Sequence, residues 1–256
     1  MFGERILILV PHPDDEVVGC CAAIGRARAD GATVHGLYLT TGVPTADALW
    51  SWDRRHHPDM VARRREEAQS VADTLGIDVV SFSDVATRHL KANLKEAREA
   101  LIEALDGLEI DMVWVPAYEG GHQDHDVANY LGHTVDPRVE VWEFAEYNNA
   151  GHRVHSQRFA KPNGSEREIL LTAEEQAAKR AALGAYASEA RNLGYVQVER
   201  ECFRPLAAYD YSRPPHAGLL FYQRFQWVPF RHPRIDFTKP EEVSAAIAGF
   251  AARPAP

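Results

Sequence analysis

Cysteine is scarce in this sequence, with three in 256 residues. Two of them, Cys20 and Cys21, are adjacent within a segment whose pattern predicts a helix, so they are unsuited to a disulfide framework. This scarcity excludes a small secreted scaffold held by disulfides and indicates a reducing compartment. A CxxC pair is also lacking, so the sequence offers no ligand set for a closed structural zinc site.

Long apolar runs and an excess of positive charge are lacking too. No run approaches the roughly 20 residues that span a bilayer, and no secretory leader precedes the first strand. The net charge of -9 disfavours binding to nucleic acid or to anionic membrane surfaces. We therefore expect a cytoplasmic protein without a membrane span or a nucleic-acid partner. Its expected ligand is a small molecule, uncharged or cationic, and a homo-oligomer is compatible with the sequence.

Five short apolar runs, rich in β-branched and aromatic residues, alternate with segments of helical length. The runs are RILILVP, TVHGLYLTT, DVVSFS, DMVWVP and VEVWEFA. Three of the helical segments end in glycine, which often stops a helix by adopting a left-handed conformation. The rhythm predicts an α/β fold, namely a Rossmann-like, mostly parallel sheet with helices on both faces.

The rhythm breaks after residue 145. Residues 146–168 are polar and irregular, the stretch TAEEQAAKRAALGAYASEARNL predicts a helix that begins after Thr172, and the remainder is aromatic and rich in proline. We predict an α/β core over residues 1–145, with a lid or small appended lobe over residues 146–256 that completes the same domain. The long connection over residues 41–59 is a further candidate for a pocket wall.

The stretch PHPDDE places an imidazole and three carboxyl groups where the first strand gives way to a helix. In open parallel sheets the ligand crevice lies beyond the carboxyl ends of the strands. The acids Asp14, Asp15 and Glu16 could simply cap the helix and complement its dipole, at about 0.3 to 1 kcal/mol each. Capping accounts for one or two of these acids and leaves His12 unexplained.

A second polar stretch, GGHQDHDVANYLGH, follows the strand DMVWVP. His122 and His125 are three residues apart, which places both on one face if a helix begins here; surface histidines on a capped helix are the alternative. Both polar stretches follow predicted parallel strands, so they should face one crevice. Imidazoles and carboxylates together match a catalytic zinc site with three protein ligands and an open position. The two stretches predict metal-assisted hydrolysis of an amide or ester.

PHPDDE, followed about a hundred residues later by GHQDH, resembles the PIG-L/LmbE-like family of zinc-dependent N-acetylglucosaminyl deacetylases. The likeness covers roughly residues 4–135. It implies that Asp14 is the general base, and that His122 stabilises the oxyanion or protonates the leaving amine while Asp124 orients it. Spacing alone leaves open which of Asp14 and Asp15 binds the metal. The zinc ligands that the resemblance implies are His12, Asp15 and His125.

The residues and the resemblance together predict a metal-dependent N-deacetylase. It would remove the acetyl group from an N-acetylglucosamine-type sugar or conjugate by attack of a zinc-bound water; Zn²⁺ is the expected cofactor, and another divalent transition metal is possible. One alternative is an amidase of the same family that acts on a thiol conjugate or an antibiotic intermediate. Another is a non-hydrolytic module that holds a metal against a nucleotide. Two imidazoles weigh against magnesium, and the turn after the first strand lacks a glycine-rich phosphate loop.

Four more side chains are candidates for substrate binding. Arg64, with Glu67 as its partner, falls where the family carries an Arg-x-x-Glu pair and could reach a substrate hydroxyl, or it could lie on a solvated basic face. Trp50 and Trp52 could stack on a sugar, or they could cover the core. His216, in SRPPHAGLL, could line the pocket.

Overall fold

The structure is a computed structural model that describes residues 3–252. Within that range the strands are β1 (Arg5–Val10), β2 (Thr33–Tyr38), β3 (Asp78–Phe82), β4 (Met112–Pro116), β5 (Glu140–Phe144), β6 (Tyr147–Asn148), β7 (His155–Ser156), β8 (Arg167–Leu170) and β9 (Arg200–Pro205). The helices are α1 (Asp15–Ala29), α2 (His57–Leu75), α3 (Leu94–Leu108), α4 (Gln123–His133), α5 (Ala173–Ala185) and α6 (Pro240–Ala251). No helix of these residues has both the length and the apolar character needed to cross a membrane.

Seven strands form one sheet in the order β3-β2-β1-β4-β5-β9-β8. The five strands from β1 to β5 are parallel to one another, whereas β9 is antiparallel to β5 and to β8. The predicted Rossmann-like, mostly parallel sheet is therefore confirmed, and each of the five apolar runs forms a strand. The chain after residue 145 adds two antiparallel strands to the edge of this sheet.

Helices cover both faces of the sheet, as the sequence predicted. Successive residues of β1 point to opposite faces, so Ile6 and Ile8 contact one apolar cluster while Leu7 and Leu9 contact the other. All four are fully buried. Residues of α1, α2 and α5 complete the first cluster, and residues of α3, α4 and α6 complete the second.

The predicted helices do not all end at the glycines that close their segments in the sequence. Gly76 ends α2 in the left-handed conformation with φ 68°, as predicted. In contrast, α3 continues through Gly107, and Glu109 is its left-handed residue with φ 50°. The prediction that α3 ends at Gly107 is wrong because Leu108 packs against the apolar cluster on that face, which favours one more helical residue.

The order of the strands fixes where a ligand would bind. The chain moves from β1 to β2 on one side, while β4 lies on the other side of β1. Such a reversal opens a crevice at the carboxyl ends of the two central strands. The two polar stretches of the sequence leave β1 and β4 at this point.

Candidate metal centre

Three side chains from the two polar stretches converge in the crevice. His12 Nδ1 lies 3.1 Å from Asp15 Oδ2 and 3.2 Å from His125 Nε2, and the last two atoms are 3.2 Å apart. Ligands at about 2.0–2.1 Å from a tetrahedral zinc ion lie roughly 3.3 Å from one another. The three atoms therefore have the spacing of one tetrahedral face. Two imidazoles and a carboxylate suit zinc or a related transition metal better than magnesium.

Local structure at the start of α1 brings two of these candidate ligands together. The backbone N–H of His12 donates to Asp15 Oδ2 at 2.8 Å, and the backbone N–H of Asp15 donates to the His12 carbonyl at 3.1 Å. This tight turn holds the Asp15 carboxylate beside the His12 ring. The third candidate ligand, His125, lies in the first turn of α4 and is 1 % exposed.

A carboxylate lies against the second nitrogen of each histidine. His12 Nε2 is 3.1 Å from Asp124 Oδ2, and His125 Nδ1 is 3.3 Å from Glu146 Oε2. Carboxylates in this position fix the tautomer of a metal-binding imidazole and raise its basicity. Burial lowers the pKa of His12, but the nearby Asp15 and Asp124 carboxylates outweigh it and raise that pKa to about 10. The centre therefore favours a cation.

Sequence reasoning missed Glu146. The residue is 1 % exposed and follows β5 by two positions. Burial, together with the Asp15 and Glu119 carboxylates, raises the pKa of Glu146 well above its usual value. Residues just after a parallel strand face the crevice, which is why the stretches after β1 and β4 were singled out. The same reasoning applied to β5 predicts that Glu146 faces the crevice.

His122 lies beside the three ligand side chains at the start of α4. Its Nδ1 accepts a hydrogen bond from the Asp124 backbone N–H at 3.1 Å, so the neutral ring carries its proton on Nε2. Burial and the nearby His12 ring lower the pKa of His122 well below its usual value. The Asp124 carboxylate, expected to orient His122, lies 3.7 Å from its Nδ1 and closer to His12.

Asp14 occupies an unusual backbone conformation between the candidate ligands His12 and Asp15. Its φ of 128° is costly for a residue with a Cβ atom, so the surroundings must hold it in place. Glu16 Oε2 accepts from its backbone N–H at 3.1 Å, and Arg64 Nη2 donates to its Oδ2 at 3.2 Å. Burial raises the pKa of Asp14 well above its usual value, with Arg64 opposing the shift.

Arg64 does not lie on a solvated face, since it is only 3 % exposed. Its Nη2 also donates to the Pro13 carbonyl at 2.5 Å. The expected pairing with Glu67 is wrong, because the Glu67 carboxylate accepts from Arg63 at 3.1 Å and from the backbone N–H of Ser188 at 3.0 Å. The three consecutive arginines of α2 thus differ in role, and only their middle member reaches the site.

The end of α5 contributes to the same site from the C-terminal half of the chain. The Tyr186 hydroxyl donates to Glu16 Oε1, which places a buried phenol behind the carboxylate that binds the Asp14 backbone. Glu189 Oε1 lies 3.8 Å from Arg64 Nη1. Tyr186 is thus connected to Asp14 through the Glu16 carboxylate, which accepts a hydrogen bond from each of them. Sequence reasoning did not identify either Tyr186 or Glu16 in this role.

The other substrate-binding candidates lie apart from these contacts. Trp50 and Trp52 stack on each other at 5.4 Å, Trp50 also meets the His232 ring at 5.5 Å, and Trp52 is 65 % exposed. His216 is largely buried, with its Nδ1 2.9 Å from the Ala217 carbonyl. It lines a cleft of about 370 Å³ together with Lys161, Pro214, Ala217, Gly218, Gln223, Pro240 and Glu241.

Known proteins resemble this chain in sequence and in fold. Residues 7–135 match the family described as PIG-L: GlcNAc-PI de-N-acetylase. A diacetylchitobiose deacetylase from Thermococcus kodakarensis is 30% identical over 152 residues, which are 57% of this chain and 52% of that protein. The chain thus spans about half the length of the curated relative that it matches.

Two solved structures show how far the likeness in fold extends. A deacetylase from the biosynthesis pathway of teicoplanin superposes with a TM-score of 0.64 at 19% identity, covering 80% of this chain and 99% of that one. A 4-carboxy-2-hydroxymuconate hydratase from Pseudomonas putida gives 0.55 at 18% identity, covering 81% of this chain and 98% of that one. Proteins named for different reactions share the architecture, so these superpositions establish the fold alone.

Proposed function

Because the chain belongs to the PIG-L family, we propose that it hydrolyses the acetamido group of an N-acetylglucosamine-type sugar or conjugate, releasing acetate and a free amine. The observation that carries this proposal is the triangle of His12, Asp15 and His125 atoms beside the buried Asp14 carboxylate. The name of the relative, a diacetylchitobiose deacetylase, supports an amino-sugar substrate.

His12, Asp15 and His125 would hold Zn²⁺ or another divalent transition metal. A bound zinc ion would polarise the amide carbonyl and lower the pKa of water. Asp124 and Glu146 would keep the two ligand imidazoles in the tautomers that direct a lone pair at the metal. We infer that Asp124 orients the His12 ring as well as the His122 ring.

Asp14 is the proposed general base. Arg64 and Glu16 hold its carboxylate and its backbone in one orientation, so the group is positioned before substrate binds. Arg64 donates to Oδ2, which leaves the other oxygen of Asp14 to accept a proton from the attacking water. A pKa raised by burial brings a carboxylate closer to the range in which it can both take and release a proton.

His122 is the proposed electrophile. Its N–H on Nε2 can donate a hydrogen bond to the oxyanion that forms at the acetyl carbon. Protonation of the amine by His122, the other role that the sequence suggested, would need the imidazolium form, which its lowered pKa disfavours. The proton that Asp14 accepts from water would instead pass to the amine as the C–N bond breaks. Arg64 Nη1 lies 3.8 Å from Glu189 Oε1 but makes no hydrogen bond within residues 3–252, so it is the donor that we propose for a substrate hydroxyl. Trp50, Trp52 and His216 are proposed to contact parts of the substrate farther from the acetyl group.

The test combines metal analysis with product analysis. Purified, zinc-loaded protein is incubated with a panel of N-acetylglucosamine conjugates, and with analogues that carry longer acyl groups, and acid and free amine are measured. We expect Asp14→Asn to keep the metal while turnover falls by about 10²–10⁴-fold, and His125→Ala to lose the metal. His133→Ala, at an exposed position of the same helix, is the control and should resemble the wild type.

Two results would count against the proposal. Equal loss of metal in Asp14→Asn and His125→Ala would contradict the division of roles between base and ligand. Metal-loaded wild-type protein that releases acetate from no sugar in the panel would contradict the activity itself.

A further inference from the structure

Three aromatic rings extend outward from the candidate metal centre. The Tyr147 ring lies 5.4 Å from the His125 imidazole, 4.6 Å from the Phe221 ring and 5.2 Å from the Tyr195 ring. The rings of Tyr195 and Phe221 are 5.4 Å apart, so all three contact one another. Tyr195 is 37 % exposed, which leaves part of the cluster open to a ligand. We call Tyr147, Tyr195 and Phe221 the aromatic wall.

Arg224 lies on the outer end of the aromatic wall. Its guanidinium carbon is 3.3 Å from the Phe221 ring centroid, and its Nε donates to the Phe221 carbonyl at 3.0 Å. In the part of the chain that the structure describes, no carboxylate lies within 4.0 Å of this half-buried cation. Arg204, by comparison, has a carboxylate of Glu143 at 2.6 Å. Arg224 therefore has a charge that no acid of the described chain neutralises.

Arg224 differs in charge from the inner part of the crevice. Asp14, Asp15 and Glu146 give the inner part of the site an acidic character, and burial together with the carboxylates of all three raises the pKa of Tyr195. A negatively charged group of a ligand would find an unpaired cation at the outer end of the aromatic wall.

We propose that the aromatic wall and Arg224 form a subsite for the group attached to the amino sugar, and that this group combines a planar or apolar surface with an anionic substituent. Aromatic faces pack on apolar or planar ligand surfaces, and a guanidinium binds a carboxylate or a phosphate through paired N–H donors. The inference rests on the proposed function, since it assumes that the sugar itself lies at the metal centre. The net charge of -9 led us to expect an uncharged or cationic ligand. The proposed subsite modifies that expectation, because a single arginine can bind a negatively charged group locally.

The experiment uses three aryl N-acetyl-β-glucosaminides that differ only at the para position of the ring. One carries a carboxylate, one a phosphate, and one a neutral carboxamide that matches the carboxylate in shape. We expect the wild-type kcat/KM to be about three- to tenfold higher for at least one anionic glycoside than for the neutral one, as for a partly exposed charge-assisted contact. Which anion is preferred distinguishes a carboxylate from a phosphate ligand.

Arg224→Gln should abolish this preference, so that the kcat/KM values of the anionic and the neutral glycosides become equal. Arg213→Gln removes a surface arginine whose side chain is 80% exposed and pairs with Asp210, and it should retain the preference. Phe221→Leu should lower kcat/KM for all three aryl glycosides relative to N-acetylglucosamine itself. A wild-type enzyme that does not distinguish the anionic glycosides from the neutral one, or a preference that persists in Arg224→Gln, overturns the subsite.

Binding is measured separately from turnover, so that failure of the proposed function can be recognised. The corresponding free-amine glycosides, which need no hydrolysis, are titrated calorimetrically into the wild type and into Arg224→Gln. A charge preference in Kd that Arg224→Gln removes, without deacetylation of any glycoside, supports the subsite and contradicts the activity. Deacetylation with equal Kd values for anionic and neutral glycosides supports the activity and contradicts the subsite.

Discussion

Lys179 and Glu201 form a fully buried ion pair that ties the C-terminal half of the chain to α1. Lys179 Nζ donates to Glu201 Oε1 at 2.8 Å and to the Val18 carbonyl at 2.8 Å, and both side chains have no exposed surface. The Glu201 carboxylate also accepts from the backbone N–H groups of Ala22 at 3.0 Å and Ala23 at 2.9 Å. Each charge thus depends on the other for neutralisation, and both bind the backbone of the helix that begins at the metal centre.

Lys179→Met should be strongly destabilising, because it leaves the Glu201 carboxylate buried without a cation. Removing one partner of a buried pair costs about 3–5 kcal/mol. For a chain of this size each kcal/mol lowers Tm by about 2 °C, so a fall of about 6–10 °C is expected. Lys95→Met is the matched control, since the Lys95 side chain is 67% exposed and its pairing with Glu99 at 3.7 Å is worth at most about 0.5 kcal/mol.

Thermal unfolding followed by circular dichroism tests this reasoning. The double variant Lys179→Met/Glu201→Gln removes both charges and keeps an amide oxygen for one of the two backbone donors, so it should lose less stability than the two single variants together. An equal Tm for Lys179→Met and Lys95→Met would refute the reasoning. Simple additivity in the double variant would refute the coupling between the two charges.

Two further predictions concern the surroundings of the metal centre. Tyr186→Phe removes the hydroxyl that donates to Glu16. We expect kcat to fall by about tenfold, with KM and zinc content unchanged, as measured by steady-state kinetics and metal analysis. A parallel loss of zinc would show that Tyr186 has only a structural role. Burial raises the pKa of Glu119 from 4.5 to about 7 in the folded protein. The folded state therefore holds this proton more tightly than the unfolded state, and the resulting stability is complete below pH 4.5 and is lost as pH rises through 7. Glu119→Gln should therefore flatten the dependence of Tm on pH across this window and gain stability relative to the wild type above it, whereas a Tm difference that does not vary with pH would contradict the shift.

The centre of the sheet could be read from the sequence because its inner strands are buried on both faces. A strand such as β1 needs apolar residues at every position, since Ile6 and Ile8 face one layer of helices while Leu7 and Leu9 face the other. That requirement makes each inner parallel strand a continuous apolar run that can be recognised without its neighbours, whereas the C-terminal strands β8 and β9 carry charged residues. Helix ends were less certain, as Gly107 shows, because packing of Leu108 decided where α3 stops.

Arg64 illustrates where a local pattern stops being informative. Three arginines are adjacent in α2, and the sequence could not tell a solvated basic face from a side chain turned into the site. The structure buries Arg64 against Pro13 and Asp14, while Arg63 and Arg65 bind acids in more exposed positions. The difference depends on how α2 is rotated against the sheet, which no short stretch of sequence specifies.

The sequence by itself determined that PHPDDE and GHQDH lie at the ends of two strands, because a strand and the turn after it are properties of adjacent residues. Only the tertiary structure decided which buried polar groups meet. Glu146 behind His125, Tyr186 behind Glu16, and Arg224 above Phe221 are paired by the packing of distant segments. The physical reason is that a buried charge or hydroxyl is stable only beside a suitable partner, and the fold selects that partner from the whole chain.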